Sequence, residues 1–206
     1  MTTYDTLASA ESIAATQKML TNNGFLPEVV ETGADALARI KEIIPAGASL
    51  MNGSSRTLDQ IGFIALLKEG KHGWNNLHDA VLAEQDKAKQ AVLRKQSVIS
   101  DYYLGSVHAL SETGEMIIAS ASGSQLPHIV FTSPNIIFVV STQKITPTVD
   151  AGLARLREHV FPLEDQRMKD ANMGGSMMAK TLILSKEPAF MGRKVHVILV
   201  KEKLGF

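Results

Sequence analysis

The chain has 206 residues, 45% hydrophobic and 20% charged, enough for one large domain with a substantial core. Lysine and arginine number 21, as do aspartate and glutamate, which excludes a surface-wide field suited to nucleic acid or an anionic membrane. There is no cysteine, so the chain forms no disulfide and offers no thiolate to a metal, an iron–sulfur cluster or a catalytic step. Met1 to Ala10 lacks the basic-then-apolar pattern of a secretory signal. No apolar run approaches the roughly 20 residues that span a bilayer. Cytoplasmic residence is the expectation.

Apolar spacing predicts a first helix over Thr6 to Asn22, stopped by Asn22-Asn23-Gly24. Phe25 to Val30 reads as a strand. Thr32 is placed to cap a helix over Ala34 to Ile44, which Pro45 and Gly47 end. Ala48 to Met51 reads as a buried strand, and Asn52 to Thr57 leads into a helix running through Leu67. Lys71 to Gln96 is polar and helical, with Val81, Leu82, Ala88 and Val92 marking a helix over His78 to Leu93 packed on the outside. Val98 to Ser100, Ser106 to Leu110, Met116 to Ala119 and Ile136 to Val140 are short β-type runs. Asp150 to Val160 has helical spacing, and Leu182 to Leu184 and Val195 to Val200 are the last strands. Helices alternate with strands early and strands cluster later, which favours a layered α/β fold over a barrel or bundle. We treat 1–206 as one domain, with 70–97 outside and C-terminal strands in 165–206.

Gly53-Ser54-Ser55-Arg56-Thr57 is the strongest local signal, because it follows a buried strand and opens a helix. Free backbone N–H groups there can hold an anion. The hydroxyls of Ser54, Ser55 and Thr57 add donors, and Arg56 adds charge; the plainer reading is that a serine only caps the helix. Asp101, placed after a short strand, has the position of a general base in an open α/β sheet, or of a turn cap. Glu112-Thr113-Gly114 offers a nucleophilic carboxylate or a hairpin turn. Gly123 and Ser124 sit in a Gly/Ser loop able to form a second anion nest or a plain connection. Lys144 follows the Ile136 strand and either points into the same cleft or stays solvated. His128, near that loop, titrates near neutrality, although a lone histidine is more often structural. No histidine or carboxylate spacing suits a metal, and no nucleotide-binding fingerprint is present. No cofactor is expected. Met168, Met173, Met177 and Met178 read as packing or filler.

Three segments carry a family resemblance: Asn52 to Gly62, Ser100 to Gly114, and Pro134 to Val140 with Lys144-Ile145 and the Leu153 to Arg157 helix. Their order and spacing over roughly residues 25–160 resemble the LUD (lactate-utilisation) family. The resemblance implies a three-layer α/β/α sandwich like that of the NagB/RpiA/CoA-transferase group. It also implies a role in bacterial lactate oxidation, beside iron–sulfur redox partner proteins that would carry the cluster this chain cannot ligate by thiolate. In sugar-phosphate isomerases of the related fold a Gly-Ser-Thr turn grips phosphate. In CoA-transferases a Glu-Asn-Gly segment attacks a thioester, and here Thr113 replaces that asparagine. The expected role is a subunit or accessory factor that binds a small anionic ligand, carboxylate or phosphate, with a homo-oligomer compatible. The alternatives are a stand-alone isomerase, CoA-transferase or folate cyclo-ligase, and a ligand-binding module without chemistry.

Overall fold

A computed structural model describes residues 4–206, so Met1 to Thr3 of the opening stretch lie outside the described residues. Helix α1, Ala10–Asn22, begins where the Ser9 side chain accepts from the Ser12 N–H, and it turns Ile13, Thr16 and Leu20 inward. Strand β1 is Leu26–Val30. Helix α2, Gly33–Ile43, starts in a capping box: Thr32 accepts from the Asp35 N–H while the Asp35 carboxylate accepts from the Thr32 N–H. Strand β2 is Ser49–Asn52.

The helix expected to run on through Leu67 is two helices, α3 (Arg56–Gln60) and α4 (Phe63–Glu69). Gly62 between them has φ 84°, a left-handed conformation that ends one helix and starts the other. The polar stretch is likewise divided. After the two-residue strand β3 (Asn75–Asn76) come α5 (Leu77–Ala83) and α6 (Lys87–Gln96). Asp86 starts the second by accepting from the N–H groups of Ala88 and Lys89.

Val98 to Ser100 is not a strand. Ile99 is 77% exposed, and the strand begins later, as β4, Tyr102–Gly105. Then follow β5 (Ala109–Ser111), β6 (Met116–Ser120), β7 (Asn135–Ser141) and β8 (Ile145–Thr146). Helix α7, Val149–Arg155, continues through a widened turn, Leu156–Val160, into α8, Phe161–Asp170. The widening stands just ahead of Pro162, which has no N–H to give a regular turn. Strands β9 (Lys180–Leu184) and β10 (Lys194–Val200) complete the fold.

The main sheet has six parallel strands in the order β1-β10-β7-β4-β2-β3. Strand β7 is apolar at every position from Ile136 to Val140, as a strand covered on both faces must be. Ile136, Phe138 and Val140 join one core cluster with α1, while Ile137 and Val139 join another with α2, α3 and α4. Helices therefore flank the sheet in three α/β/α layers. A second sheet, β8-β5-β6-β9, shares the α1 side, and α7 covers its outer face. Gly152 makes that approach possible, since a Cβ there would lie 2.5 Å from Ile117 Cδ1. Truncating a central residue such as Ile137 to alanine should cost about 2–5 kcal/mol. Among the described residues, no helix is long and apolar enough to cross a membrane.

Candidate functional site

All six strands of the main sheet run the same way, so their carboxyl ends share one edge, where open α/β folds bind ligands. Asn52 ends β2, Gly105 ends β4, and Ser141 ends β7 just before Lys144. Asn52, Gly105, Lys144 and the Gly205 turn after β10 border a cleft of about 470 Å³. Gly53, Ser54, Ser55, Arg56, Thr57, Ser124 and Lys144 all line it. Gly123 does not; its φ of 83° shapes the loop, and Lys180 packs against it.

Lys144 is 4% exposed rather than solvated. Its Nζ donates to Thr57 Oγ1 at 3.0 Å, Ser106 Oγ at 3.1 Å and the Val107 carbonyl at 3.2 Å. All three acceptors are neutral. Burial, followed by the nearby Arg155 charge, lowers its pKa to about 7. Arg155 is fully buried, donates to the carbonyls of His108 and Tyr4, and leaves its Nε unpaired. Among the described residues neither cation has a carboxylate within ion-pair distance. The site thus holds buried positive charge without a counter-ion.

His108 stays neutral beside these cations. Burial first, then Lys144 and Arg155, push its pKa down to about 4. Its Nδ1 accepts from the Ala119 N–H at 3.1 Å, which puts the ring proton on Nε2. His128, also on the cleft, is buried against Tyr103 with ring centroids 4.8 Å apart. Its Nδ1 lies 3.2 Å from Ser100 Oγ and 3.0 Å from Ser133 Oγ, and burial lowers its pKa to about 4.

The Gly53 loop serves the fold as well as the cleft. Ser55 caps α3 by accepting from the Leu58 N–H, and Arg56 pairs with Asp59. A Cβ at Gly53 would lie 2.5 Å from the Tyr103 hydroxyl, so glycine is needed here for internal packing. The five-residue α3 is too short for its N-terminus to act as a strong positive pole; the buried positive charge here is that of Lys144 and Arg155.

The structure does not bring Asp101 or Glu112 to the cleft. Because β4 starts at Tyr102, Asp101 precedes the strand and stands at the opposite, amino edge. Its Oδ2 accepts from the Ser49 N–H at 2.8 Å and Ser49 Oγ at 2.7 Å, bonds that hold its pKa low. Glu112 lies in the turn between β5 and β6, where its Oε1 accepts from Ser12 Oγ at 2.6 Å. The residues missing from the sequence reading are Arg155, His108 and Ser106. A signal existed for Arg155: it is a charge on an inward helical face, three residues after the tightly packed Gly152.

Comparison with known proteins agrees with this architecture. A family profile described as the LUD domain matches residues 13–200. A crystal structure of a DUF162 family protein from Deinococcus radiodurans superposes with a TM-score of 0.57 at 16% identity, covering 95% of this chain and 99% of that one. That identity speaks to the fold alone. No curated protein matches the chain. With the profile spanning most of its length, the chain belongs to the LUD domain family.

Proposed function

We propose that this LUD-domain protein binds an organic anion, a carboxylate or phosphate, in the cleft at the carboxyl edge of its main sheet. One observation carries the reading: Lys144 on the cleft, with Arg155 behind it, is buried among neutral oxygens and lacks an acidic partner. Burying an unpaired charge is expensive, and an incoming anion supplies the missing compensation. The donors of Ser54 and Ser55 and the guanidinium of Arg56, on the same cleft, suit the remaining anion oxygens.

The family's name supports a role for the chain as a subunit or accessory factor in lactate oxidation, with a small organic anion in the cleft. In that setting a partner protein would carry any thiolate-held iron–sulfur cluster, since the chain has no cysteine. A thermal-shift panel of lactate, sugar phosphates, coenzyme A and folates tests the binding. A ligand at 100 times its Kd adds about 2.7 kcal/mol, or roughly 5–10 °C for a chain of this size. The reading expects a saturable rise that falls to about a third or less in Lys144→Met at the same ligand concentration. It fails if no anion shifts the transition, or if that substitution leaves the shift undiminished.

A further inference from the structure

Beyond the charged floor, the cleft has a wall of a different kind. Met168, Met173, Met177 and Met178 all line it, facing the same space as Phe161 and Phe206. Three of these methionines remain open to solvent: Met173 and Met177 are each 64% exposed and Met178 is 37% exposed. They belong to the segment that joins α8 to β9, which is held lightly. Its N–H of Ser176 donates to Asp165 Oδ1 at 2.7 Å, and that of Met173 to the Met168 carbonyl at 2.9 Å. Asn172, Gly174 and Gly175 have φ of 56°, 78° and 101°, so the backbone turns repeatedly and presents its side chains along the opening.

Methionine is unbranched and polarisable, and an exposed set of them makes an adaptable apolar surface. Left facing water beside a buried lysine, these side chains are poorly placed for packing and well placed for contact with a ligand. Size points the same way. A cleft of about 470 Å³ is in the range that takes drug-sized molecules. A three-carbon hydroxy acid held at Lys144 would leave most of it, including the methionine wall, to water.

We infer that the ligand is amphipathic, an anionic head seated at Lys144 joined to an extended apolar body lying against Met168, Met173, Met177 and Met178. The inference rests on the proposed anion site and names the class of anion it takes. The head satisfies the charge at the floor, and the body removes the methionine wall from water. Carboxylate and phosphate heads share this chemistry, and the ligand series below separates them.

Isothermal titration of the full chain with acetate, butyrate, hexanoate and octanoate, and with inorganic phosphate and hexyl phosphate, tests the inference. A fully buried methylene is worth about a fourfold gain in affinity. Against this partly open wall, octanoate should bind at least about tenfold tighter than butyrate. Hexyl phosphate should exceed phosphate likewise if the head is a phosphate. In a Met173→Ser, Met177→Ser, Met178→Ser triple variant, with folding checked by its unliganded melting transition, the octanoate-to-butyrate ratio should shrink toward one. Neutral octanamide should bind more weakly than octanoate. Equal affinity across the series overturns the inference and leaves the anion site standing. A ratio that survives in the triple variant also overturns it, because the apolar body then lies elsewhere. Failure of every anion to bind removes the anion site itself.

Discussion

The two edges of the main sheet treat charge in opposite ways. At the amino edge, Asp101 is saturated: Ser49 supplies both an N–H and a hydroxyl, and Asn135 Nδ2 donates to the Asp101 carbonyl at 3.0 Å. Through its carboxylate and its backbone carbonyl together, Asp101 ties β2, β4 and β7 where they begin. At the carboxyl edge, Lys144 and Arg155 are buried deeper yet meet only neutral oxygens. A polar group whose partners are complete holds the fold, while the buried charge without its counter-charge is the feature on which the proposed anion site rests.

The contrast can be broken most sharply at Lys144. Lys144→Met should weaken anion binding by roughly 30-fold or more, the usual scale for losing a buried charge-assisted contact. Below about pH 7, where Lys144 carries its charge, the unliganded protein should melt no lower, because an uncompensated charge has been replaced by a chain of similar length. Titration calorimetry beside an unliganded melting curve reads both. Arg155→Met should have a smaller effect on binding, about 5-fold. It should raise the pKa of Lys144, because one of the two influences that depress it is gone; the pH dependence of anion affinity reports the change.

Proton linkage sharpens the same contrast. Lys144 titrates near 7 in the folded chain and near 10.5 when ordinary. Between those values the unfolded chain holds a proton that the folded chain has lost. This group's contribution to stability therefore falls as pH drops from about 10.5 to about 7, and is level below that. A bound anion favours the ammonium form, so binding at pH 8 should take up about one proton, seen as a buffer-dependent enthalpy. His108 and His128 sit near 4 against an ordinary 6.5. Below about 6.5 the unfolded chain binds their protons first, so stability should fall as pH drops toward 4, measured by urea unfolding. His128→Asn, which keeps a polar atom near Ser100 and Ser133, should flatten part of that slope.

The smallest effects belong to the two carboxylates away from the cleft, Asp101 and Glu112. Asp101→Asn should cost about 1 kcal/mol of stability and leave anion affinity unchanged. Glu112→Gln should do less, since its neutral amide can still accept from Ser12 Oγ. A loss of binding in the Asp101 variant would erase the distinction between the edges.

Much of the fold was legible because its signals are local. Thr32 with Asp35 announces a helix start, and the unbroken Ile136 to Val140 run announces a strand buried on both sides. Breaks were harder to read, because Gly62 and the Glu84–Asp86 link interrupt helices without disturbing apolar spacing. The site divides similarly. The Gly53 loop was visible as a strand-to-helix turn. A strand at Val98 to Ser100 would put Asp101 at the carboxyl edge; starting β4 at Tyr102 moves the same residue to the opposite end of the sheet. The burial of Lys144 was not legible at all, since its acceptors come from Thr57, Ser106 and Val107, far away in sequence.

The pairing of β1 with β10, which sets Leu26 beside His196, has a consequence for how the chain matures. An early strand must wait, with one flank unpaired, until almost all the intervening polypeptide has been made and organised. Contacts of such long range slow the search for the native arrangement and leave apolar intermediates open to self-association. A product cut short before Lys194 would lack the strand that joins β1 to β7. It should be recovered as aggregate rather than as a smaller working protein.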